Sequence, residues 1–106
     1  MAAVYSVCFF RAFTAVGPLQ FTCPAGFVCV LRDVDVVGES NGSSDVLSID
    51  IEGLGFIWGV QGSGGAFQTA QWRGRSVFTE GQVLEAGISG AGTWHVSASG
   101  YQLTLP

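Results

Sequence analysis

Hydrophobic and polar residues alternate along most of this chain. In one clear example, Leu47, Ile49 and Ile51 fall on one side of an extended segment, and the polar residues between them fall on the other. A period of two is typical of a β-strand with one buried face. The same pattern, less regular in places, predicts nine short strands, over residues 4–10, 19–22, 27–37, 46–52, 56–60, 66–72, 82–88, 93–98 and 101–105.

The longest predicted strand, 27–37, has two different faces. Strict alternation divides it into a valine face, which also holds Arg32, and a mixed face that consists of Cys29, Leu31, Asp33 and Asp35. Turn residues such as Pro24-Ala25-Gly26 separate the predicted strands at short intervals, and no window shows a 3.6-residue apolar stripe. The pattern therefore predicts an all-β, antiparallel β-sandwich of jelly-roll type, with eight or nine short strands.

Length and composition narrow the class of protein. The chain has 106 residues, of which 48% are hydrophobic and 11% charged. These values predict a single folded domain over residues 1–106 and exclude a disordered chain. No apolar run approaches the roughly 20 residues of a membrane-spanning helix. The first ten residues lack the basic and long apolar segments of a signal peptide, so none is expected.

Charge and hydropathy indicate which partners to expect. Four Arg or Lys residues stand against eight Asp or Glu residues, for a net charge of −4. A chain without a basic stripe is not expected to bind nucleic acid or an anionic membrane. The mean hydropathy of +0.44 is high for one core of this size. We therefore predict that part of the apolar surface is buried against other chains in a symmetric homo-oligomer, with a trimer favoured.

Histidine and cysteine offer few candidates for chemistry. His95 is the only histidine, which excludes a histidine-rich metal site. The three cysteines, Cys8, Cys23 and Cys29, lack the CxxC spacing of zinc sites. Cys23 and Cys29 flank a turn, so either a disulfide or a pair of free buried thiols is open there, with free thiols favoured. We predict no metal, no cofactor and no enzymatic activity.

Carboxylates and aromatic residues give two further hypotheses. Asp33, Asp35, Asp50 and Glu52 would cluster if their strands paired, and would then suit Ca²⁺ or glycoside hydrolysis, although a solvated polar face is favoured. An alternative function is carbohydrate or receptor binding, in which an exposed tryptophan stacks on a sugar of a host-surface glycan. The candidates for that role are Trp58 and Trp94.

Three stretches resemble a known family. Residues 21–36 read FTCPAGFVCVLRDVDV, close to the pattern V-P-A-G-x-x-x-V-x-R-D-I-D-V. Residues 71–84, QWRGRSVFTEGQVL, and 96–104, VSASGYQLT, follow in the same order. Together they resemble the small all-β virion proteins encoded among the tail and head genes of phages that infect actinobacteria. The chain departs from the family at Glu80, where a Pro-Gly turn is common, and over residues 56–67.

The resemblance implies a structural subunit of a bacteriophage virion, assembled in the host bacterial cytoplasm. It implies contacts with other virion proteins, as a minor tail (tail-tip) protein or a capsid decoration protein, with the former favoured. Bidentate pairing of arginine with carboxylates would suit contacts within or between subunits. The residues that we predict for the interface are Trp72, Arg73, Arg75, Asp33 and Asp35.

Overall fold

The computed structural model describes residues 4–13, 19–39, 45–62, 67–90 and 92–104. These residues form eight strands, and all pairings between them are antiparallel. Within the described ranges no helix is long and apolar enough to cross a membrane. The strands are β1 (Val4–Phe13), β2 (Leu19–Thr22), β3 (Phe27–Glu39), β4 (Val46–Ile51), β5 (Gly55–Gln61), β6 (Phe67–Thr79), β7 (Val83–Ser89) and β8 (Thr93–Thr104).

The strands pair as a nested series around the β4–β5 hairpin. Outward from that hairpin, β3 pairs with β6, β2 with β7 and β1 with β8. Successive pairs belong to alternate sheets, so the order is β1-β8-β3-β6 in sheet 1 and β2-β7-β4-β5 in sheet 2. A long antiparallel ribbon rolled in this way is a jelly roll. The predicted fold class is confirmed.

The core lies between the two sheets and follows the predicted alternation in β4. Leu47, Ile49 and Ile51 are buried, whereas Asp50 points to the outer face. Each large side chain that is fully buried stabilises the fold by roughly 1.5–3 kcal/mol. The largest come from both sheets and are Trp94, Phe78, Leu31, Leu47, Ile49, Ile51, Leu84, Val34, Val36 and Val96.

All four strands of sheet 1 are longer than predicted, and the difference is largest for two of them. The segments predicted at 93–98 and 101–105 form one strand, β8, and the segment predicted at 66–72 extends to Thr79 in β6. Both strands pair with the 13-residue β3, which supplies backbone hydrogen-bond partners along their length. Residues 66 and 105, at the ends of two predicted strands, lie outside the described residues.

A β-bulge overturns the predicted faces of the segment 27–37. Against β8, Leu31 lies opposite Gly100 and Asp33 opposite Ser99, so Arg32 is an extra residue. A bulge shifts the alternation by one residue. Beyond it the side chains that point into the core are Val34 and Val36, and those on the outer face are Asp33 and Asp35.

A second bulge lies directly across β8 from the first. In β1, Cys8 is opposite Ser99 and Phe10 opposite Ala98, so Phe9 is the extra residue there. Gly100 is buried at this level, and a Cβ atom added to it would collide with the carbonyl oxygen of Val30. Only glycine therefore fits where the bulged β3 crosses β8.

Candidate functional site

Arg73 joins two carboxylates on the outer face of sheet 1. It lies opposite Asp33 in the β3–β6 register, with Arg73 Nε 3.2 Å from Asp33 Oδ1. Its Nη2 donates to Asp35 Oδ1 at 2.8 Å, and its Nη1 donates to the carbonyl oxygens of Val34 and Trp72 at 3.4 and 3.1 Å. The pairing predicted for Arg73 is therefore formed within one chain.

These contacts fix the charge and direction of the guanidinium. The hydrogen bond to Asp35 raises the pKa of Arg73 above its ordinary value, and the charges of Asp35 and Asp33 act in the same direction. All three side chains are about half exposed, so water screens the attraction. The network is therefore a solvent-screened polar surface on sheet 1.

The other two predicted interface residues lie in different environments. Arg75 is exposed two residues further along β6, on the same outer face as Arg73. Trp72 points to the inner side of β6, where its indole packs against the core and lies over Gly74. Trp72 and the two arginines therefore lie on opposite sides of β6, because neighbouring strand residues point to opposite faces. The interface role of Trp72 stays a prediction.

An apolar patch covers one end of the same outer face. Val4 lies opposite Leu103, which lies opposite Val28. In the next row Tyr101 lies opposite Val30, which lies opposite Val77. The exposed fractions reach 60% for Val4, 46% for Val77 and 38% for Tyr101. Val30, between Tyr101 and Val77, is only 9% exposed, so the patch is a group of exposed apolar side chains around a buried one. Exposed apolar side chains grouped in this way mark contact sites between proteins.

The bulge residue Arg32 borders this patch. Its guanidinium carbon lies 5.8 Å from the ring centroid of Tyr101, a cation–π contact that covers part of the ring. Arg32, Asp33 and Tyr101 line a shallow groove together with Cys8 and Ser99. Alternation with Val28 and Val30 places Arg32 on this face, and the bulge brings Asp33 to the same face beside it. This juxtaposition was not predicted, because the bulge has no signal in the sequence; an arginine among valines was the only indication.

The outer face of sheet 2 carries charge of one sign. Asp50 lies directly opposite Glu85 in the β4–β7 register, and Gln20 Nε2 donates to Glu85 Oε2 at 2.6 Å. Partial burial, followed by the charge of Glu85, raises the pKa of Asp50 above its ordinary value. Phe56, opposite Asp50 on β5, is 69% exposed. This face therefore combines negative charge with an exposed aromatic ring.

Charge is divided unequally between the two sheets. All four arginines, Arg11, Arg32, Arg73 and Arg75, belong to strands of sheet 1. The strands of sheet 2 carry only carboxylates, at Asp50 and Glu85. The two outer faces of the sandwich thus differ in sign.

The four carboxylates that would cluster if their strands paired do not come together. Asp33 and Asp35 lie on sheet 1, whereas Asp50 lies on sheet 2 with Glu52 just after it. β3 and β4 are consecutive but belong to different sheets, so their polar faces point away from each other. Among the described residues, no group of three or more His, Cys, Asp or Glu side chains is placed to hold a metal ion.

The sugar-binding hypothesis loses one of its two tryptophans. Trp94 has no exposed surface and lies in the core with Val96 and Ala98, so it offers no ring face to a sugar. Trp94 is therefore not a candidate for sugar binding, contrary to the expectation from the sequence. Trp58 lies opposite Ile49 on the inner side of β5 and is only half buried.

Comparison with known proteins identifies no relative by sequence. No protein-family model matches the chain, and no curated protein is similar to it. A chain in the structure of the infectious bursal disease virus Gx strain is similar in fold, with 13% sequence identity and a TM-score of 0.42. The match covers 98% of this chain and 32% of the viral chain. A likeness this distant assigns no function.

Proposed function

We propose that this protein is a non-enzymatic structural subunit of a virus particle that acts through protein–protein contacts. The observation that carries the proposal is the apolar patch on the outer face of sheet 1. Tyr101 lies within it and Val77 at its edge on β6, and Arg75 is two residues along β6 from Val77. Apolar side chains beside an arginine are typical of surfaces that bind another protein. The jelly roll is used in viral capsid domains, and equally in lectins and cupins, so the fold alone does not select the function.

The more specific part of the proposal is a bacteriophage virion, in the tail tip or on the capsid. It rests on the resemblance of residues 21–36, 71–84 and 96–104 to small phage virion proteins. These stretches include most of β3, β6 and β8, three of the four strands of sheet 1. The stretch without resemblance, 56–67, includes most of β5 in sheet 2. The resemblance is therefore concentrated in the sheet whose outer face carries the patch.

The charge division between the sheets supports a heterologous contact between subunits. Such a contact needs two different surfaces that meet, and it closes into a trimer only if successive subunits are rotated by roughly 120°, which the charge division does not set. A face with arginines that meets a face with only carboxylates satisfies this need and opposes pairing of like faces. We propose that sheet 1 of one subunit contacts sheet 2 of the next.

The first experiment measures the mass of the purified protein by light scattering at micromolar concentration. We expect an oligomer for the wild type, and a monomer for Val77→Glu because the substitution places a negative charge in the patch, where it would repel the carboxylates of sheet 2. Thr69→Glu is the matched control, since Thr69 is exposed on the same face of β6. It lies roughly 27 Å away along the strand. A monomeric wild type, or the same oligomer in all three proteins, would contradict the proposed contact.

A second experiment tests the location in a particle. Antibodies against this chain should decorate particles released from the source culture in immunogold electron microscopy. Gold at the tail tip would support the minor tail protein, and gold over the head would support the capsid decoration protein. Particles that carry no label, in a culture whose lysate contains the chain, would refute the proposed role.

A further inference from the structure

Two cysteines meet at the point where the chain passes from sheet 2 to sheet 1. Cys23 follows β2, and Cys29 lies in β3. Their Sγ atoms are 3.2 Å apart, and the residues are 1% and 0% exposed. The pair is separate from the outer faces to which the proposed contacts belong.

The backbone holds Cys23 in this position. Its N–H donates to the carbonyl oxygen of Gln82 at 2.9 Å, and the N–H of Gly81 donates to the carbonyl oxygen of Cys23 at 3.0 Å. In the turn that follows, the N–H of Phe27 donates to the carbonyl oxygen of Pro24 at 3.3 Å. The closeness of the two sulfur atoms therefore follows from the fold as well as from the side-chain rotamers.

The reduced pair forms a short hydrogen-bonded chain. Cys29 Sγ donates to Cys23 Sγ, which donates to the carbonyl oxygen of Phe27 at 3.3 Å. Within the described part of the chain, no further ligand-type side chains join them in a group fit for a metal ion. Since a disulfide bond is about 2.05 Å long, the sulfur atoms need to approach by only about 1 Å.

We propose that Cys23 and Cys29 are a site of disulfide formation that fastens sheet 2 to sheet 1. A small disulfide such as oxidised glutathione is the oxidant. One cysteine thiolate attacks a glutathione sulfur and releases one reduced glutathione. The second cysteine, as its thiolate, attacks the mixed disulfide and releases the other. Two protein thiols are thus oxidised to one disulfide, and one glutathione disulfide is reduced to two thiols, which take up the two protons.

The burial of both thiols and the raised pKa of Cys29 make this reaction slow in the folded protein. Burial, followed by the hydrogen bond and charge of Cys23, raises the pKa of the Cys29 thiol to about 12. Little thiolate is therefore present at neutral pH, and the reaction accelerates as the pH rises. Residues 24–26 of the turn are exposed, so opening of this turn is the shortest route for the oxidant to Cys23.

The bond would raise thermal stability. It closes the loop of residues 23–29 and so lowers the conformational entropy of the unfolded chain. We therefore expect the Tm to rise by roughly 10 °C. If the proposed function holds, subunits would assemble reduced in the host cell and gain the bond after release into an oxidising medium. The formation of the bond itself does not depend on that function.

The test uses the Cys8→Ser variant, because Cys8 is an exposed thiol that would react first. The folded variant is incubated at pH 8 with oxidised and reduced glutathione, then unfolded and treated with iodoacetamide. We expect a mass loss of about 2 Da before alkylation, and no alkylated cysteine. The oxidised variant should melt roughly 10 °C above its reduced form.

The matched control is the double variant with Cys8→Ser and Cys23→Ser. It should show no mass loss, and its Tm should be the same with and without prior oxidation. The proposal is overturned if the Cys8→Ser variant keeps two alkylatable thiols after prolonged oxidation. Two glutathione adducts in place of an internal bond would overturn it as well. These outcomes are independent of the oligomeric state, so failure here and failure of the proposed function are distinguishable.

Discussion

The two outer faces of the sandwich differ in the charges that neighbouring strands place opposite each other. On sheet 1, Arg73 lies opposite Asp33 in neighbouring strands and forms an ion pair with it. On sheet 2, Asp50 lies opposite Glu85 in the equivalent relation, so two negative charges face each other. Opposite charges at such positions stabilise a sheet, and like charges destabilise it.

The difference indicates what each face contributes to binding. Asp33 and Asp35 of sheet 1 already pair with Arg73, so new contacts at this end of the sheet depend on the apolar patch and on Arg75. Sheet 2 retains negative charge that Gln20 relieves only by a hydrogen bond to Glu85. Such a face gains most from a cation supplied by another molecule, as in the proposed contact with sheet 1 of a second subunit.

The largest effect is expected at Gly100 in sheet 1, where the space for a side chain differs from that at Gly87 in sheet 2. Gly100→Ala places a methyl group against the carbonyl oxygen of Val30, which is backbone and cannot turn aside. We expect the free energy of unfolding to fall by about 3 kcal/mol, measured by urea denaturation.

Gly87→Ala in β7 of sheet 2 is the control for this substitution. An added Cβ there would have Glu85 Oε1 at 3.9 Å as its nearest atom, which is ordinary contact. Its effect should stay within about 0.5 kcal/mol. Equal losses for the two variants would show that the bulged crossing of β3 and β8 does not restrict residue 100.

Local alternation was sufficient to predict the strands and the faces that lack bulges. Leu47, Ile49 and Ile51 needed only a period of two. The same pattern was present around Trp94, since Trp94, Val96 and Ala98 alternate with polar residues, and it indicated a buried indole. Trp94 was a candidate for sugar binding only because of its residue type, and its position in the alternation indicated burial.

Features that depend on two strands at once were beyond the sequence. The bulge at Arg32 exists only relative to β8, and it exchanges the faces of every residue that follows it in β3. Likewise, Asp50 and Glu85 are 35 positions apart and meet only because β4 pairs with β7. The pairing of Arg73 with Asp33 and Asp35 was predictable as a type of contact, but not as one within a single chain.

A smaller effect is expected from Asp50→Asn on sheet 2. The pKa of Asp50 is raised in the folded protein, so the folded state binds this proton more tightly than the unfolded state. The stability that it contributes is therefore present in acid and is lost as the pH rises from about 4 through the raised pKa. At pH 7 the variant should be more stable by about 0.5 kcal/mol, and the gain should shrink below pH 4.

Asp35→Asn makes the same change on sheet 1, where the charge environment is opposite. It removes the charge that accepts the hydrogen bond from Arg73, so at pH 7 the variant should be slightly less stable than the wild type. Urea denaturation of both variants at pH 3 and pH 7 provides the measurement. Changes of the same sign at pH 7 would refute the charge contrast between the faces.

The smallest effect is expected from Arg73→Gln, because its ion pairs are half exposed. Loss of the guanidinium should lower the Tm by less than about 4 °C at low salt. At 1 M salt, where the screening length is about 3 Å, this difference should nearly vanish. Arg73→Lys retains the charge but loses the planar guanidinium. Its Tm at low salt should therefore lie between those of the wild type and Arg73→Gln. If the loss persists at high salt, Arg73 stabilises sheet 1 through its hydrogen bonds to the carbonyls of Val34 and Trp72. The contrast with sheet 2 would then rest on Asp50 and Glu85 alone.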